Sequence, residues 1–78
     1  MQVTVKLFGT LRRFSNPGTP GMWVGEIPEG STIRDLAGIL GTDEKELAAA
    51  SINNQNVDFD VVIPGQASVI LVTPFGGG

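Results

Sequence analysis

Four apolar residues in succession, Val69-Ile70-Leu71-Val72, stand between the turn signal Pro64-Gly65 and Pro74. A run that is apolar at both odd and even positions has no polar side to turn towards water, so it predicts a central strand within residues 67–73, covered on each side. In a chain of 78 residues this is a strong constraint, because a domain of such a size buries only about 60% of the surface its unfolded chain exposes. There is room for one compact sheet around this strand, and none for a spacious internal active site.

The rest of the pattern builds outward from it. Residues 1–8 alternate, with Val3, Val5 and Leu7 on one side and Gln2, Thr4 and Lys6 on the other, the period of a half-buried strand. Gly9 breaks the alternation, and Leu11 to Phe14 reads as a short turn that tucks Leu11 and Phe14 under the sheet. A loop marked by Asn16-Pro17-Gly18 and Pro20-Gly21 leads to a second strand at 22–27, which makes the opening segment a hairpin with a long connection. Pro28-Glu29-Gly30 ends it. Ile33, Leu36, Ala37 and Leu40 then fall at helical spacing, with Ser31 or Thr32 as the cap and Thr32 with Asp35 as a capping box, before Gly41 stops the helix. Acidic residues at 43, 44 and 46 suit the first turn of a helix dipole, so residues 43–49 predict a second, shorter helix. Residues 51–53 and 57–59 predict a short strand pair around a turn at Asn54-Gln55-Asn56. The order is hairpin, helix, strand pair and a final buried strand beside the first. That is an α+β chain with the β-grasp order: a mixed sheet of four to five strands on one main helix plus a short second one. The domain covers residues 1–73, and 74–78 form a flexible glycine-rich tail.

Composition narrows the chemistry. The chain contains no cysteine and no histidine, which removes disulfides, thiolate nucleophiles, imidazole bases and nearly every ordinary transition-metal site. A hydrophobic fraction of 41% against 17% charged residues is the balance of a folded domain. The net charge of −3 and a pI near 4.5 speak against nucleic acid and for protein partners with basic surfaces, although dispersed acidic residues also serve solubility alone. No segment has the length of apolar sequence that a membrane helix needs, and the N-terminus has no basic region followed by an apolar run, so the expectation is a soluble cytoplasmic protein.

Several segments together resemble the ubiquitin-like sulfur carriers: the small subunit of molybdopterin synthase, the thiamine-pathway sulfur carrier and their archaeal modifier relatives. Val3-Thr4-Val5-Lys6-Leu7-Phe8-Gly9-Thr10-Leu11-Arg12 is similar to the opening of the molybdopterin synthase small subunit. Ile27-Pro28-Glu29-Gly30-Ser31-Thr32-Ile33-Arg34-Asp35-Leu36 resembles its helix entry, and Asn53-Asn54-Gln55-Asn56-Val57 occupies the place of its Asn-Gly hairpin. The chain departs from that pattern in lacking the hairpin glycine and in ending Thr73-Pro74-Phe75-Gly76-Gly77-Gly78, where three glycines still satisfy a terminal Gly-Gly.

The resemblance implies a carrier and not an enzyme, most closely the molybdopterin synthase small subunit; the alternatives are a thiamine-pathway or other sulfur-transfer carrier, a ubiquitin-like modifier joined to lysines through Gly78, and a β-grasp interaction module with an inert tail. A ubiquitin-activating-type adenylyltransferase would use ATP to adenylate the Gly78 carboxylate, and a sulfur donor would displace AMP to leave a thiocarboxylate. A molybdopterin synthase large subunit or another acceptor enzyme would then take the sulfur, with no cofactor or metal bound by the chain itself. A terminal carboxylate, with a pKa of about 3.3–3.7, is ionised in the cell and is a poor electrophile until an outside enzyme activates it. The five residues from Pro74 to Gly78 span at most roughly 17 Å, enough to enter a partner's active site. Gly76 and Gly77 lack a Cβ and so pass through a channel too narrow for side chains. Each of these residues has a plainer reading. A glycine run is often a frayed end, and Phe75 either anchors a partner or folds back onto the body. Arg12 and Arg13 meet an acidic partner or only decorate a turn, and Trp23 is a partly buried strand residue. Asp58 and Asp60, two apart in what reads as one strand, are assigned no catalysis, and Gly30 belongs to no phosphate-loop pattern.

Overall fold

A computed structural model describes residues 1–74. Five strands form one sheet: β1 (Gln2–Leu7), β2 (Met22–Glu26), β3 (Ala49–Ile52), β4 (Gln55–Val57) and β5 (Ser68–Val72). The strand order is β2-β1-β5-β3-β4, with β1 and β5 parallel and the other three pairings antiparallel. The apolar run Val69 to Val72 is therefore the central strand.

The register explains the alternation in β1. Val5 stands opposite both Trp23 and Val69, and Leu7 opposite Leu71, so these residues share the inner face. One core joins them to Ala50 and Ile52 of β3 and to Ile33, Leu36 and Ala37 of an α-helix, α1 (Ile33–Leu40). On the outer face, cover is only partial. Ile70 and Val72 are half-buried, and Phe8, whose extended backbone continues the alternation of β1, is 47% exposed. The expectation of cover on each side is thus met on one side alone, because among the described residues there is one α-helix and it packs against the inner face.

α1 begins as its sequence predicts. The Thr32 hydroxyl accepts from the Asp35 N–H at 3.1 Å, and the Asp35 carboxylate accepts from the Thr32 N–H at 3.0 Å. Gly41 ends the helix in the left-handed region at φ 112°, a conformation that a Cβ makes costly.

Two expectations need correction. The second helix is a 3-10 turn of only three residues, Glu44–Glu46, capped by the Asp43 side chain on the Lys45 N–H. Leu47 is already extended, the Ala48 N–H donates to the Val72 carbonyl at 2.7 Å, and Ala49 pairs with Val72 in β3. Sheet pairing overrides the helix preference of Ala48 and Ala49, since an isolated turn of helix is marginal and a ladder beside the central strand is not. The hairpin turn also shifts by one residue. Asn53 and Asn54 form it at φ 50° and 72°, leaving Gln55 as the first residue of β4 opposite Ile52. A two-residue turn with both φ values positive is the type that suits strand twist, and asparagine tolerates it better than most residues.

Candidate functional site

The chain leaves the sheet at one corner, and three pieces of structure hold it there. The Phe8 N–H donates to the Leu71 carbonyl at 3.1 Å, and the Ala48 N–H to that of Val72, so the last residues of β5 are fixed from both neighbouring strands. Thr73 is buried and Pro74 exposed. Gly9 opens the 3-10 helix Gly9–Phe14 at φ 64°, and a Cβ placed on it would lie 2.0 Å from the Thr73 Oγ1. No side chain fits between them, and this close approach brings the first 3-10 helix against the chain exit.

The opposite wall is the second 3-10 turn, tied to the first through Glu46. Its carboxylate accepts from both Arg13 guanidinium nitrogens, with Nη2 at 2.7 Å, from the Thr10 hydroxyl at 2.6 Å, and from the Thr42 hydroxyl. The Arg13 hydrogen bonds lower the Glu46 pKa most, followed by those from the two threonines, and together they bring it to about 2. Glu46 is thus a carboxylate at any physiological pH. Thr10, Thr42, Asp43, Lys45, Glu46, Thr73 and Pro74 line a notch of about 380 Å³ between the two walls.

Pro74 is the first residue of the expected tail and stands at the mouth of this notch. Phe75, Gly76, Gly77 and Gly78 lie outside the described residues. The Arg13 guanidinium is bound within the chain by Glu46 and stacks over the Phe14 ring, 4.3 Å from its centroid. Arg12 is exposed. Trp23 is half-buried on the core side, over Gly25, where a Cβ would meet its ring at 2.6 Å. Asp58 and Asp60 do not share a strand, since β4 ends at Val57 and they sit in the turn that follows. Asp60 pairs with Arg34, which also holds Glu44 through two bonds of 2.9 Å, so these carboxylates serve structure. Gly30 sits at φ 87° in the exposed turn before α1. Among the described residues there is no acidic cluster that could hold a metal ion, and no helix is long and apolar enough to cross a membrane.

Glu46 and its donors are what sequence reasoning missed. Thr10 and Arg13 lie 36 and 33 residues from Glu46, beyond any local spacing rule. The signal that pointed towards them was the acid-rich stretch at 43–46, which also fits a helix start.

Comparison with known proteins places this arrangement. No curated protein sequence matches the chain at a significant level. Among solved structures, it is similar to a putative molybdopterin converting factor, subunit 1, from Pyrococcus furiosus, at 24% identity and a TM-score of 0.68, over 95% of this chain and 98% of that one. It is also similar to SAMP1 from Haloferax volcanii, at 16% identity and a TM-score of 0.66 over the whole of both chains. A second structure of that small archaeal modifier protein aligns at 14% identity and a TM-score of 0.69, covering 94% and 97%. At these identities the likeness is one of fold, the ubiquitin-like β-grasp. Sequence carries the assignment further: the model of the ThiS family matches residues 5–78, from the middle of β1 through the terminal glycines, and the chain belongs to the ThiS family.

Proposed function

We propose that this chain is a sulfur carrier whose Gly78 carboxylate is adenylated by a partner enzyme and converted to a thiocarboxylate. That group donates sulfur in cofactor biosynthesis, with the chain acting as the small subunit of a molybdopterin synthase. The observation that carries this reading is that the match to the ThiS family runs through Gly78, so the glycine tail lies inside the matched region. The chain is then a substrate and carrier, not a catalyst. Its carboxylate oxygen attacks the α-phosphorus of ATP and releases pyrophosphate, and sulfur delivered at the hydrosulfide level then attacks the carboxyl carbon, expels AMP and leaves a thiocarboxylate. Having no cysteine, the chain has no thiol of its own to attack the activated terminus.

The body supports this role. Ordering the glycines at a partner costs on the order of 1–2 kcal/mol each, so the docking energy must come from elsewhere. The outer face of the sheet offers Phe8, Ile70 and Val72 beside the chain exit.

Intact-mass measurement after incubation with an activating enzyme, ATP and a sulfur source is expected to show a gain of roughly 16 Da, oxygen exchanged for sulfur at the terminal carboxyl. No gain with an enzyme that sulfurates another carrier overturns the reading. Two structural neighbours are modifiers by name, and the same adenylate also reacts with a lysine amine. Diglycine remnants on cellular lysines that depend on Gly78 would establish that second use.

A further inference from the structure

We propose that the notch at the chain exit receives an apolar side chain of the enzyme that activates the tail. This inference rests on the sulfur-carrier reading and names a contact surface for it. The first support is reach. Four residues follow Pro74, and at roughly 3.5 Å each they extend at most about 14 Å. An enzyme that closes around Gly78 therefore lies within that distance of Pro74, against the surface from which the chain departs.

The second support is the chemistry of the notch. Most of its lining residues are polar by name, yet the surface they turn inward is mostly carbon. Glu46 is the reason. Its two oxygens already accept from Arg13, Thr10 and Thr42, so carboxylate, guanidinium and hydroxyls satisfy one another and offer a visitor few free hydrogen bonds. An apolar group seats on that carbon surface at little cost, whereas a polar one finds charged partners only at the exposed Asp43 and Lys45. The third support is rigidity: the Glu46 bonds join the two walls, and Gly9 against Thr73 fixes the floor, so the shape exists before the visitor arrives. The occupant is an aliphatic or aromatic side chain of the activating enzyme, set where the tail begins.

The test compares two added tryptophans. Lys45→Trp fills the notch and leaves the Glu46 bonds in place. Glu29→Trp adds the same bulk in a separate concavity beside Gly30 and Ile39. For Lys45→Trp, with melting temperature and kcat retained, the KM of the activating enzyme for the carrier is expected to rise about tenfold or more, as when an interface anchor is lost. Glu29→Trp should keep the wild-type KM. A mass gain in the wild type with an unchanged KM for Lys45→Trp overturns the notch alone, while no gain in the wild type overturns the carrier reading and the notch with it. NMR of the free carrier provides a further check. If Phe75→Ala moves the Thr10 and Thr42 methyl resonances, the notch belongs to the chain's own Phe75, and the proposal is overturned.

Discussion

Glu46 is the residue on which the corner of the molecule turns. Its carboxylate is 19% exposed and joins three donors from two separate segments. Because its folded pKa is depressed to about 2 from an ordinary 4.5, the stability it contributes is fully present above pH 4.5 and is lost as pH falls through 2. A half-exposed network of this kind is worth about 1 kcal/mol, and Glu46→Ala is expected to lower the melting temperature at pH 7 by roughly 4–8 °C. The difference from wild type should narrow below pH 4.5 in a series of thermal melts, and a gap that is constant from pH 7 down to pH 2 would contradict the assignment. Gly9 matters at the same corner for the opposite reason, since what it contributes is the absence of a side chain.

Among the elements, α1 is the most clearly written. Its capping box is legible as Thr32 and Asp35 and its stop as Gly41, because both obey rules that act within four residues. Thr32→Ala is expected to cost about 1 kcal/mol, read as a lower denaturant midpoint at unchanged slope, and no change would show that the box is idle. The central place of β5, the β1–β2 hairpin and the β-grasp order were legible for a similar reason: alternation and apolar runs record which face of a strand meets the core. What was not legible depended on distant partners. Ala48 and Ala49 have helical preferences, and only Val72, more than twenty residues on, holds them extended beside β5. The turn at Asn53-Asn54 lies one residue before the expected one, because four polar residues in a row, Asn53 to Asn56, leave the register open until Ile52 finds its place opposite Val69. At the site, the sequence pointed to the tail and left the walls around its root unread, since Thr10, Arg13 and Glu46 meet only in the folded chain.

For the whole molecule, the proposed function divides the work between body and tail, with the one recognised and the other reacting. One extra residue after Gly78 is therefore expected to abolish the mass gain while leaving the melting temperature unchanged, and a sulfurated extended chain would separate the chemistry from the terminal carboxylate. The parallel pairing of β1 with β5 has a consequence for how the molecule is made. Thr4 meets Ser68 and Leu7 meets Leu71, so the sheet closes only when the residues up to β5 are available, and contacts of such long sequence separation form slowly. On the ribosome, β1, β2 and β3 must wait for the last strand, because β5 lies between β1 and β3. The strand that completes the sheet is also the one that leads to the proposed reactive glycine. A product terminated before Ser68 thus lacks both the completed sheet and Gly78, and on the proposed function it presents an activating enzyme with neither a folded body nor the glycine tail.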